Sequence, residues 1–225
     1  DGIPDLLCSG EASSTVYAAP IAIFLGKGDG TFQPRIAFTQ ANGTRTINMG
    51  PKLMDIDGDG FLDIVVNNAG NIETGDRGNV KYLRNDQGNL TDLGVMPDIT
   101  RVARFAVADF NNDGSDDLVG SIPTAGAITY LPGAATGLKP GSSLPVGRAP
   151  RALDVGNFNG DAFPDLIVAN AESHDISYFQ GGKNGLRPVQ TVPVGRAPSA
   201  FTHGDLNQDG IHDIVVAHPE SQTIT

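Results

Sequence analysis

The chain has 225 residues, 39% of them hydrophobic, with 29 glycines, 15 prolines and no tryptophan. That supports one or two globular domains built from short strands and turns, with few long helices. The formal charge of −11 argues against nucleic acid as a partner, and no apolar run reaches the roughly 18 residues of a membrane span. Cys8 is the sole cysteine, so no internal disulfide can form, and it is expected to be a small buried hydrophobe.

The chain opens on DGIPDLL, where Asp1, Gly2, Ile3 and Asp5 match the second half of a pattern that is complete further on. A strand at 21–26 (IAIFLG) and a glycine-rich hairpin (GKGDGTF) follow, then the sequon Asn42-Gly-Thr in an expected loop. Residues 55–66 read DIDGDGFLDIVV. Asp55, Asp57, Asp59 and Asp63 occupy positions 1, 3, 5 and 9 of a loop with Gly60 at position 6, directly before an apolar run. Carboxylates this crowded repel one another, and a hard cation relieves the repulsion. The spacing is that of a calcium loop, with the carbonyl of Phe61 at position 7 as a further oxygen.

A strand at 79–85 (NVKYLRN) leads to the hairpin NDQGNL, which carries a second sequon at Asn89. Three more loops come after it. The first holds Asp109, Asn111, Asp113, Ser115 and Asp117, and the second Asn157, Asn159, Asp161, Phe163 and Asp165. The last holds Asp205, Asn207, Asp209, Ile211 and Asp213. Between them lie strands at 127–133 (AITYLPG) and 175–181 (DISYFQG) and two copies of PVGRAP, at 145–150 and 193–198. The chain closes on SQTIT.

Ninth-position aspartates fall at 5, 63, 117, 165 and 213, so the repeat is near 50 residues. Each repeat holds a loop, a β-branched strand, a second strand, a hairpin, a third strand, a corner, and a fourth strand into the next loop. Four short strands per 50 residues is the content of a propeller blade. An EF-hand is excluded, because position 12 is Val66, Gly120, Val168 or Val216 where a bidentate Glu is needed, and a strand follows where a helix should. The expected fold is all-β: a β-propeller of four-stranded antiparallel blades, here a partial ring of three whole blades and two partial ones. Its units are approximately 1–47, 48–102, 103–150, 151–198 and 199–225. The missing strands come either from a longer parent chain, the favoured reading, or from a neighbouring chain.

These loops, with GKGDGTFQP at 26–34 and DLIVAN at 165–170, resemble the FG-GAP or VCBS repeat family. The resemblance implies a seven-bladed ring and one calcium ion in each of the four complete loops, with a fifth loop truncated. Members include integrin α-subunit heads, propeller lectins and modules appended to secreted enzymes. The loop at 157 departs from the pattern, with Asn157 at position 1 and Ala162 in place of the turn glycine, and is expected to bind calcium less well. The loop at 55, with four carboxylates, is expected to bind best. Asp116 is expected to face water.

Fourteen of the 26 acidic residues lie in these loops, so filled loops would return most of the charge deficit. Ligands supplied by the protein leave no open position for substrate, which argues for a stapling metal and against catalysis. His174, His203, His212 and His218 share no metal spacing, and no nucleophile elbow or phosphate loop is present. Arg148 and Arg196, in the PVGRAP corners, are expected to pack across blade junctions. The leading expectation is a non-catalytic extracellular propeller that binds a protein or glycan, since millimolar calcium outside cells fills even weak loops. Two alternatives are a module of a secreted carbohydrate-active enzyme and a structural subunit of an extracellular filament.

Overall fold

In a computed structural model, residues 2–9, 21–38, 48–68, 79–100 and 102–225 are described. Among them every regular element is a strand. Three four-stranded antiparallel meanders follow one another. The first runs β4 (Asn48–Met54), β5 (Asp63–Asn68), β6 (Asn79–Asp86) and β7 (Asn89–Thr100). The second is β8 (Phe105–Ala108), β9 (Asp117–Ile122), β10 (Ala127–Leu131) and β11 (Ser142–Pro145). The third is β12 (Pro150–Gly156), β13 (Asp165–Asn170), β14 (Asp175–Gln180) and β15 (Arg187–Pro193). Three-stranded sheets flank them: β1 (Leu6–Ser9), β2 (Ile21–Phe24) and β3 (Ile36–Phe38) before, and β16 (Ala200–Gly204), β17 (Asp213–His218) and β18 (Thr223–Ile224) after.

The first strands of successive sheets lie side by side: β4 against β8, β8 against β12, and β12 against β16. The sheets therefore stack face to face around a common line, as propeller blades do. The core is distributed between sheets. Leu166 and Val168 of β13 join Ala106, Phe110 and Val119 of the preceding sheet, while Ile167 turns the other way to meet Val216 of the next. The same alternation places Ile64 and Val66 against Ile21, and Val65 against Phe105 and Leu118. Strands buried on both faces read as unbroken apolar runs, which is why DIVV and DLIV lack polar alternation. The twelfth loop position, where an EF-hand carries its glutamate, is here a core position: Val66, Val168 and Val216 are all buried.

Antiparallel pairing puts the acidic loops (first to second strand) and the glycine hairpins (third to fourth strand) at one end of each sheet. The PVGRAP corners lie at the other end. Gly147 packs against Asn170 and Ser173, where a Cβ would lie 2.1 Å from Ser173 Oγ, and Gly195 packs against the ring of buried His218. Arg148 donates from its guanidinium to the Glu172 carbonyl and from its backbone to Ser173 Oγ, so the corner is tied to the β13–β14 turn of the sheet that follows. Arg196 is exposed. Cys8, paired with Ala22 across β1 and β2, is half-buried and not enclosed, because β1 lies in the first of the described sheets.

Candidate metal centre

Each loop is wound around its first residue. Asp109 accepts from the N–H groups of Asp113 and Gly114 at 3.0 and 2.8 Å, and Asp205 accepts likewise from Asp209 and Gly210. Asp55 takes three such bonds, from Gly58, Asp59 and Gly60. The tight turn holds Gly60, Gly114 and Gly210 at φ of 87°, 89° and 86°, a left-handed conformation that glycine adopts without strain. The loop at 157 turns differently. Ala162 does not take a positive φ, and the Asn157 side-chain oxygen accepts from Gly160 alone among the described residues while its NH2 donates to the Asp161 carbonyl. The missing glycine thus changes the winding and not only its cost.

Fifth-position carboxylates accept from the seventh-position N–H, as in Asp59 with Phe61, Asp113 with Ser115, Asp161 with Phe163 and Asp209 with Ile211. The Phe163 N–H is the main reason Asp161 titrates below the usual carboxylate range, with Gln180 next. Third positions solve the charge problem in two ways. Asn111, Asn159 and Asn207 each donate an amide hydrogen to the fifth-position carboxylate, at 2.8–3.0 Å. Asp57 cannot donate, and Arg84 of β6 supplies the cation: its Nε lies 2.7 Å from Asp57 Oδ2 and a terminal nitrogen lies 3.6 Å from Asp59. Gln180 stands at the equivalent place in β14, one residue beyond the partner of the tenth loop position, and donates to Asp161.

The ninth position does more than line the loop. Asp117 is fully buried, and its Oδ2 accepts from the Phe110 N–H and the Tyr130 hydroxyl, both at 3.0 Å. Its Oδ1 accepts from the Gly133 N–H at 2.7 Å. Asp165 repeats this with Phe158, Tyr178 and Gly181, and Asp63 does so with Ile56 and Asn85. Asp5 accepts from Gly26, and Asp213 from Leu206. Burial raises the Asp63 and Asp117 carboxyls against the pull of these donors. It also raises the Tyr130 and Tyr178 hydroxyls, helped by the adjacent carboxylates. The ninth aspartate is therefore a strut that ties its loop to the glycine hairpin.

That strut explains the hairpin glycine. A Cβ on Gly26, Gly133 or Gly181 would stand 2.4, 2.2 or 2.0 Å from the eighth-position carbonyl oxygen of Pro4, Asp116 or Pro164. The second unit has Asn85 at this place and donates its side chain to the Leu62 carbonyl. Gly181→Ala is expected to cost about 2 kcal/mol by forcing this backbone contact apart. A chemical denaturation midpoint unchanged from the parent would contradict it.

Loops also join across sheets. Asn112 donates to the Ala162 carbonyl, Gly182 N–H to the Phe110 carbonyl, and His212 N–H to the Asn157 carbonyl. Asp116 does not face water: it is half-buried and accepts from the Asp55 N–H of the neighbouring loop. Burial raises its carboxyl most, with Asp109 and Asp55 adding to the rise. His203 and His212, separate in sequence, stack with ring centroids 4.8 Å apart and Nδ1 atoms 3.0 Å apart. Phe158 meets both rings edge-on, and Asp154 lies 3.4 Å from His203 Nε2. The two histidines flank the acidic loop between β16 and β17, and the antiparallel pairing of those two strands brings their rings together.

Asp55, Asp57 and Asp63 bring carboxylate oxygens within 4.8 Å of one another, and Asp57 Oδ1 is buried with no hydrogen-bond partner. All-oxygen donors around an orphaned anionic oxygen fit a hard cation. Asp1 and Asn42 lie outside the described residues, Ile3 packs against Gly26 and Gly28, and Asn89 is exposed beside the hairpin turn.

Meandering four-stranded sheets stacked through their first strands, with acidic loops linked at one end, define a β-propeller module. The chain belongs to the FG-GAP-like repeat family, whose profile matches residues 1–66, 55–120 and 157–216. No curated protein matches it. Solved structures that share the fold include two at low identity. One is BBS1N in complex with ARL6DN, soaked with lead, at 12% identity and a TM-score of 0.54 over 93% of this chain and 61% of that one. The other is a protein from Lactobacillus plantarum, at 12% identity and a TM-score of 0.57 over 99% of this chain and 65% of that one. The chain thus spans less than two thirds of either. No helix among the described residues is long and apolar enough to cross a membrane.

Proposed function

We propose that this propeller segment is non-catalytic, binds calcium in its acidic loops outside the cell, and presents the resulting rigid face to a protein or glycan partner. The observation that carries the calcium reading is the cluster of Asp55, Asp57 and Asp63 with its orphaned buried oxygen. Asp55, Asp57, Asp59 and Asp63 with the Phe61 carbonyl would hold the ion. The loops at 109, 157 and 205 would take further ions through the same five positions. An ion at the third position has to displace an asparagine–aspartate bond in these three loops, and the Arg84 pair in the loop at 55.

Loops hydrogen-bonded into a belt across three sheet junctions favour a recognition surface, since loops fixed on a rigid scaffold are where binding residues collect. An extracellular setting follows from the same chemistry, because millimolar calcium fills loops of modest affinity. The neighbour BBS1N is in complex with a second protein, which supports partner binding by this fold. Calorimetric titration of calcium into chelator-treated protein tests the first half. Saturable binding that weakens in Asp55→Ala is expected, and an absence of calcium heat would overturn it. Glycan-array binding with and without chelator tests the glycan alternative against a protein partner.

A further inference from the structure

A cavity of about 380 Å³ opens between the β4–β7 and β8–β11 sheets, directly beside the loop at 55. Its floor is apolar, formed by Leu93, Met96, Ile99, Leu131 and Leu138. Leu93 is 44% exposed there, a large apolar side chain left open to solvent. Two cations, Arg84 and Lys139, share the lining, and Lys139 is exposed and makes no ion pair among the described residues. A size within the range of small-molecule sites, an apolar floor and a few charged groups at the edge are the attributes of a binding pocket.

We propose that this cavity binds a small amphipathic organic anion, its apolar body on the leucine floor and its anionic group between Arg84 and Lys139. Of the carboxylates that face the same space, Asp63 accepts backbone N–H groups with both oxygens and Asp57 pairs with Arg84 through Oδ2, while Asp57 Oδ1 is the oxygen assigned to the metal above. That pairing also sets the occupancy rule. Without metal, Arg84 is held by Asp57 and Asp59. An ion in the loop takes over those carboxylates and leaves the guanidinium free for the anion. The two ligands therefore favour each other, and by linkage the coupling is reciprocal. This coupling rests on the calcium reading above, whereas the anion site itself does not.

The test uses 8-anilinonaphthalene-1-sulfonate, an apolar bicycle with one sulfonate, titrated by fluorescence into the chain in calcium and in chelator. Its neutral analogue N-phenyl-1-naphthylamine is run alongside. The sulfonate is expected to bind at one saturable site, about fivefold more tightly in calcium. Arg84→Gln and Lys139→Gln, both at exposed positions, should each weaken it about fivefold, and Arg84→Gln should also erase the calcium dependence. Sulfonate binding that neither substitution changes, or a neutral analogue that binds as tightly, overturns the anion site. So does binding that declines as protein concentration rises, which would mean that a second copy fills the cavity. If calcium raises the melting temperature yet leaves sulfonate affinity unchanged, the shared arginine is overturned. If calcium alters neither, the calcium reading fails, and the Lys139→Gln titration in chelator alone decides the anion site: a fivefold loss supports it and no loss overturns it.

Discussion

Asp117→Ala is expected to destabilise the protein by about 4 kcal/mol. The substitution strands two buried N–H groups, of Phe110 and Gly133, and the hydroxyl of Tyr130, all of which now share one carboxylate. Bonds to a charged acceptor contribute about 1.5–3 kcal/mol each, and a buried donor left unmet costs a similar amount. The loss is offset in part because burial already disfavours the Asp117 anion. Asp117→Asn should cost about half as much, since its NH2 must face at least one backbone N–H. Exposed Asp209, at the fifth position, should tolerate alanine with under about 1 kcal/mol lost in chelator. Urea unfolding in chelator checks the series, because the strut role is independent of metal. An Asp117→Ala midpoint equal to that of Asp209→Ala would remove the strut from the account.

Calcium added to chelator-treated protein should raise the melting temperature by at least about 5 °C. One site at one hundred times its dissociation constant contributes about 2.7 kcal/mol, and a domain of this size gains about 2–4 °C per kcal/mol. The loop at 55 should account for most of the rise, so Asp57→Ala should diminish it more than Asn159→Ala. The reason is twofold: four carboxylates bind more strongly than two, and the loop at 157 is already wound differently around Asn157. Differential scanning fluorimetry across a calcium series reads both. Equal losses in the two variants would count against the ranking.

Much of this was legible in the residues. The repeat, the four-strand unit and the loop positions follow from the recurring aspartates, because side-chain chemistry at fixed spacing is local information. The strand faces were legible too, once each apolar run was seen to be buried on both sides. What the sequence hid is what strand pairing and sheet stacking bring together from separate stretches of the chain. Asp116 looked like a spare surface charge, yet it accepts from a loop of the adjacent sheet. His203 and His212 had no common spacing, yet they stack. Arg84 is an ordinary strand residue until β6 is registered against β5, which brings it over Asp57. The ninth aspartate was legible as an oxygen donor but not as a strut, because its partners at Asn85, Gly133 and Gly181 are set by the hairpin 16–22 residues further on.

Because apolar side chains mesh between leaves and not within them, no leaf carries a private interior. A strand such as DLIVAN is shared property of two junctions, with Ile167 serving one and Leu166 and Val168 the other. Pulling the molecule from one terminus should therefore unzip it leaf by leaf, each release baring the greasy side of the next and lowering its resistance. Force–extension traces would then show a first rupture higher than those that follow it.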